Sequence, residues 1–174
     1  MALGRACGAA VSAPRSSATQ RARQRSGAAG EHAVEAALAA CERAGLGYLR
    51  KRPTATVMRG GRMMRTEVAG ADYAGTLRGG RACYLEVKRV GTGERLSFSA
   101  LRGPQVDELE RVFKLGAVAA VVVAWGPLAT RLSVVPWSWL RAPLLEGTPG
   151  GVALEAWRLP AGKLLLEARG VVEA

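Results

Sequence analysis

The chain has 174 residues, 49% of them hydrophobic, with 25 Lys and Arg against 14 Asp and Glu and a formal charge of +11. That length suits one domain, with or without a tail, and no apolar run approaches the ~20 residues of a membrane span. The charge points to a polyanionic partner, nucleic acid first among them, and the single histidine, His32, excludes every mechanism that needs two imidazoles.

Residues 1–28 carry Arg5, Arg15, Arg21, Arg23 and Arg25 as their only charged side chains. They lack the apolar stretch of a secretory signal. They are expected to form a disordered basic arm able to lie along phosphates. The alternatives are an inert tail, a start codon placed too early or an organelle transit peptide. Residues 29–174 are expected to be the folded domain. Val34, Ala37, Leu38 and Cys41 recur with helical spacing and predict an amphipathic helix over Glu31–Ala44, ended by Gly45 and Gly47.

A first strand is predicted over Tyr48–Arg59, with Pro53 at an edge or bulge. Gly60-Gly61 makes a tight turn into a second strand over Met63–Gly70, after which Asp72 opens a Gly-containing turn. Gly79-Gly80 leads into a third strand, Arg81–Val90, followed by a loop to Gly103. A second helix spans Gly103–Leu115, with Val106, Leu109, Val112 and Phe113 on one side. Ala117–Trp125 is the most apolar strand, and Thr130–Pro136 follows it. Trp137 and Trp139 sit on a short helix or turn and belong to the core or a subunit interface, core being the preferred reading. Trp157–Val172 is expected to add strands around Pro160. The predicted class is α/β, a mixed sheet flanked by helices in the order α-β-β-β-α-β-β.

The third strand carries the chemistry. Alternation puts Tyr84, Glu86 and Lys88 on one face and Cys83, Leu85 and Val87 on the other. A carboxylate and an ammonium inside an apolar strand carry a desolvation cost of several kcal/mol unless paired. Asp72, Glu86 and Lys88 brought together could hold a divalent cation and a water, which suits phosphodiester hydrolysis. Asp72 and Glu86 would be the carboxylate ligands to Mg²⁺ or Mn²⁺, with the Val87 carbonyl as a further ligand. Lys88 would orient the water or stabilise developing charge. Gln105 could reach the metal through its amide oxygen or be a solvated first-turn residue. Glu31 and Glu35 could approach the metal or simply favour the helix dipole. Cys7, Cys41 and Cys83 match neither a zinc pattern nor a disulfide framework, which fits a reducing, cytoplasmic (nucleoid-associated) setting.

Several blocks carry a family resemblance. In order they are Gly27-Ala28-Ala29-Gly30-Glu31, Lys51-Arg52-Pro53-Thr54, Asp72-Tyr73-Ala74-Gly75, Glu86-Val87-Lys88, Phe98 and Gln105. Over about residues 22–142 the chain resembles the bacterial RecU-type Holliday junction resolvases of the PD-(D/E)XK nuclease superfamily. The resemblance implies a restriction-endonuclease-like core in residues 29–174 and a Mg²⁺-dependent homodimer that resolves four-way DNA junctions. It implies Asp72, Glu86 and Gln105 as metal ligands, Lys88 as transition-state stabiliser and Glu31 as an accessory acid, with Glu35 structural. Lys51, Arg52, Arg59, Arg62 and Arg65 are the candidate DNA contacts.

The chain departs from the family in two places. Gly70 and Ala71 stand where hydroxyl residues precede the metal aspartate. The segment from Pro53 to Asp72, which carries a projecting stalk in the family, is shorter. Two other readings compete: a nuclease acting on linear duplex, and a basic DNA-binding protein without catalysis.

Overall fold

A computed structural model of the chain describes residues 17–53, 56–65 and 70–168. The first helix, α1 (Ser17–Arg43), begins well before the expected Glu31, so the expected boundary of the arm at residue 28 falls inside it. Ala, Arg and Gln are strong helix formers and carry the helix through Gly27 and Gly30. The outer part of the expected arm, residues 1–16, lies outside the described residues, as does Cys7. The helix stops where Gly45 adopts φ +67° and the Leu46 N–H turns back to the Cys41 carbonyl at 3.0 Å.

The expected first strand splits in two. Gly47–Lys51 forms β1, and after Pro53 the chain restarts as β2 (Thr56–Arg59), paired among the described residues only with β3 (Arg62–Arg65). Proline has no N–H to continue a ladder, which separates the two pieces. Gly60 and Gly61 both take positive φ, 59° and 75°, and close a tight hairpin that stands apart from the main sheet. The expected strand end at residues 66–69 lies outside the described residues.

The expected turn after Asp72 is instead a strand, β4 (Tyr73–Leu77), followed by β5 (Ala82–Val90). Gly75 explains the difference. Its partner in β1 is Leu49, and a Cβ at position 75 would lie 1.9 Å from the Tyr48 carbonyl oxygen. Glycine here permits a close backbone approach between strands. Gly75→Ala is therefore expected to force β1 from β4 and lower stability by about 1–3 kcal/mol or more. Denaturant unfolding measures this, and an unchanged midpoint would contradict the pairing.

The expected loop after β5 holds a short strand, β6 (Arg95–Ser97), before α2 (Gly103–Lys114). Then come β7 (Val118–Trp125), β8 (Arg131–Pro136), α3 (Trp137–Leu145) and β9 (Gly151–Ala153), which pairs with β6. The main sheet runs β1-β4-β5-β7-β8, antiparallel throughout except for the parallel pair β5–β7 joined through α2. With the β2–β3 hairpin set aside, this is the expected α/β class, a mixed five-stranded sheet flanked by helices.

Every residue of β7 is buried, because α1 covers one face of the sheet and α2 with α3 the other. Cys41 and Cys83 lie in the α1 layer, and burial pushes the Cys83 thiol up to about 12. Trp137 is fully buried, with its indole N–H on Glu110 Oε2 at 2.9 Å. Arg141, foremost among several partners, pulls the Glu110 carboxyl down to about 2 and ties α3 to α2. Trp139 is not core: it is 67% exposed and stacks edge-on against Trp157.

The expected C-terminal strands are absent among the described residues. Residues 155–168 form short 3₁₀ turns, tied to the sheet by one bridge between Ser133 and Arg158. Pro160 and Gly162 at φ +80° break any longer run. No helix among the described residues is long and apolar enough to cross a membrane.

Candidate active site

β4 and β5 are in register with Tyr73 opposite Leu85, both pointing into the α1 layer. Alternation then turns the adjoining Asp72 and Glu86 to the other face, beneath α2. Asp72 lies just before β4 and is fixed by the Val87 N–H, which donates to its Oδ2 at 2.9 Å. The Arg52 N–H holds the Asp72 carbonyl at 2.8 Å.

Glu86 is 1% exposed. Its Oε1 receives Lys88 Nζ at 2.8 Å and the Gln105 side-chain amide N–H. Its Oε2 is buried with no hydrogen-bond partner. Burial first, and the charge of Asp72 second, push its carboxyl up to about 7 against the pull of Lys88. A buried carboxylate beside another acid, with one oxygen unmet, is the environment in which a cation gains most.

The expected Asp72, Glu86 and Lys88 are thus brought together. Gln105 joins them in a different role. Its amide oxygen accepts from Lys88 Nζ at 2.9 Å and from the Arg102 N–H at 3.0 Å. A carboxylate attracts the NH₂ and an ammonium the oxygen, so Gln105 bridges Glu86 and Lys88. Here it clamps the two side chains together. Val87 contributes its N–H to Asp72.

Glu31 is not brought into this group. It lies exposed on α1 and pairs with Lys51, which sits opposite Tyr73 and so on the α1 side of the sheet. Glu35 accepts the Tyr73 hydroxyl at 3.3 Å, a structural contact as expected. Burial, reinforced by the negative charge of Glu35, raises the Tyr73 hydroxyl well above its ordinary value. The expected DNA contacts Lys51 and Arg52 are both matched to acids, with Arg52 Nη1 at 2.5 and 2.7 Å from the two Glu108 oxygens. The pairing of β2 with β3 puts Arg59 opposite Arg62 and Arg65 opposite Thr56 along the hairpin backbone.

Glu108 was not singled out by sequence. It accepts the Ala71 N–H and holds the Arg52 side chain, so it ties the residue before Asp72 to the residue whose N–H holds the Asp72 carbonyl. Gly70 makes this possible, since a Cβ there would lie 1.7 Å from Glu108 Oε2. Gln105 and Glu108 are one helical turn apart, so a single face of α2 braces both carboxylates. That spacing was the available signal.

The residues present fit a hard divalent cation. Asp72 Oδ2 and Glu86 Oε1 are engaged by N–H donors, while Glu86 Oε2 is buried and unmet. Oxygen donors in this number suit Mg²⁺ or Mn²⁺, which retain several waters when few carboxylates are offered. Among the described residues there is no group of three or more His, Cys, Asp or Glu that could hold a metal. Water and main-chain oxygen would complete the shell.

No protein-family model matches the chain, and no curated protein matches it. Among solved structures it is similar to Hjc from Archaeoglobus fulgidus, described as a Holliday junction resolvase from an archaeal hyperthermophile, at 18% identity and a TM-score of 0.43. The match covers 63% of this chain and 75% of that one. Likeness at this level assigns no residue a role.

Proposed function

We propose that the chain is a metal-dependent DNA endonuclease that resolves four-way junctions. The buried, unpartnered Oε2 of Glu86, on a carboxylate set beside Asp72 whose other oxygen holds Lys88, carries the metal-dependent part of the reading. The charge of +11 supports a nucleic-acid substrate. Junction selectivity and dimeric action rest on the sequence resemblance, and paired cuts across a two-fold substrate require two copies of the site.

Asp72 and Glu86 would hold Mg²⁺ or Mn²⁺, and the ion would supply positive charge to the phosphate and a more acidic bound water. Lys88 has two of its three N–H donors committed, to Glu86 and Gln105. The third is left to orient the attacking water or to meet charge building on the phosphate. Gln105 keeps Lys88 and Glu86 in fixed relation, and Glu108 does the same for the backbone at Asp72. Neither group needs to move during the reaction.

The second reading, a nuclease acting on ordinary duplex, is favoured by the shortness of the β2–β3 hairpin, four residues to a strand. A synthetic four-way junction and a linear duplex of equal length, incubated with Mg²⁺, separate the two. Symmetric nicks on opposing strands of the junction, with the linear DNA left intact, are the expected result. Equal cutting of both would favour the second reading. Absence of cutting at every Mg²⁺ and Mn²⁺ concentration would refute the nuclease assignment.

A further inference from the structure

Arg89 follows Lys88 in β5 and points to the opposite face, toward α1. Its side-chain stem lies between α1 and β7: a Cβ placed on Gly30 would come within 3.3 Å of both Arg89 Cδ and Ala124 Cβ. Glycine inside a helix weakens it, so the sequence admits a local cost in order to seat this side chain. The other cations at this edge are matched internally, Lys51 by Glu31, Arg52 by Glu108 and Lys88 by Glu86. Arg89 has no matching acid among the described residues, and its Nε is buried with no hydrogen-bond partner. The nearest acids of α1 are already engaged, Glu31 by Lys51 and Glu35 by Tyr73.

A guanidinium is always charged and carries five N–H donors in a rigid plane. A half-buried one with no acid beside it serves stability poorly, and its natural complement is an anion brought from outside. We propose that Arg89 is a pre-positioned contact for a phosphodiester of the DNA backbone on the α1 side of the sheet, the face opposite Asp72 and Glu86. The planar fork matches two phosphate oxygens at once, and the locked stem removes most of the freedom that a surface arginine would lose on binding. This inference rests on the nuclease reading only for the identity of the polyanion.

The test uses the full chain with Arg89→Met and Arg89→Lys, binding a linear duplex and a four-way junction in EDTA between 50 and 200 mM salt. Arg89→Met is expected to reduce the slope of log affinity against log salt by about one, on both DNAs alike. Arg89→Lys keeps the slope but binds more weakly, because one charge remains and the fork is lost. The thermal midpoint of Arg89→Met is expected to stay level or rise, since an unmatched cation is removed. Identical slopes for wild type and Arg89→Met overturn the proposal, whatever happens to stability. Wild-type cutting in Mg²⁺, run alongside, reports on the nuclease reading separately: salt-dependent binding that loses slope in Arg89→Met, without any cutting, would sink that reading and leave the Arg89 contact standing.

Discussion

Asp72→Asn is expected to abolish Mg²⁺-dependent cutting while DNA binding survives or tightens. The amide is nearly the same shape as the carboxylate, and its oxygen can still accept the Val87 N–H that Asp72 Oδ2 accepts at 2.9 Å. The fold around β4 should therefore be unchanged. What disappears is one of the two anionic ligands that the described residues offer. Metal charge supplies several kcal/mol of transition-state stabilisation, and losing most of it corresponds to roughly a 10³-fold fall in rate. Binding moves the other way, because a negative charge is removed from beside the incoming phosphate. Rates on a four-way junction at saturating Mg²⁺, together with affinities in EDTA, measure both halves. Cutting at the wild-type rate would refute the assignment.

Glu86→Gln is expected to lose cutting as well, yet to yield a metal-free protein more stable than wild type at pH 8. The carboxyl of Glu86 lies at about 7 in the fold, against an ordinary value of 4.5, chiefly through burial. Because the folded value is raised, the folded chain holds the proton where the unfolded chain has released it. The native state is then best favoured below about pH 4.5 as far as this group is concerned, and that advantage is lost as pH rises through about 7. At about 1.4 kcal/mol per unit, the difference is on the order of 3 kcal/mol at most. Glutamine carries no charge to desolvate and can still bond to Lys88 and Gln105, so it escapes the penalty. Mg²⁺ should raise the wild-type midpoint by mass action and leave Glu86→Gln unmoved. Below about pH 7 the wild-type affinity for Mg²⁺ should fall about tenfold per unit, as the ion must displace a proton. Thermal melts at pH 5 and 8, with and without Mg²⁺, test all of this. A variant less stable than wild type at pH 8, or an equal Mg²⁺ shift in both proteins, would show that Glu86 is not the buried acid of a metal site.

Both predictions concern residues legible in the chain itself, and the reason is local. Alternation along β5 separates Glu86 and Lys88 from Cys83, Leu85 and Val87 wherever that strand is placed. The unbroken apolar run of β7 and the helical spacing of Leu109 and Val112 in α2 are equally local signals. These segments state their own conformation, and they appear nearly where periodicity puts them.

β4 could not be read in the same way. Asp72-Tyr73-Ala74-Gly75 has turn-like composition, and Gly75 declares itself a strand residue only once the Tyr48 carbonyl lies against it. The two tryptophans of α3 differ for a similar reason. Trp137 meets Glu110 across the helix pair and is buried, while Trp139, two positions on, faces outward.

By itself, then, the sequence determined the α/β class, the central strands and the acid–acid–amine set, because those depend on residue type and spacing within short segments. Only the tertiary structure decided that Gln105 bridges Glu86 and Lys88, that Glu31 answers Lys51 on the far side of the sheet, and that Glu108 braces the approach to Asp72. Each of those outcomes is a contest between partners distant in the chain for the same charge or hydrogen bond, and such contests are resolved only by packing.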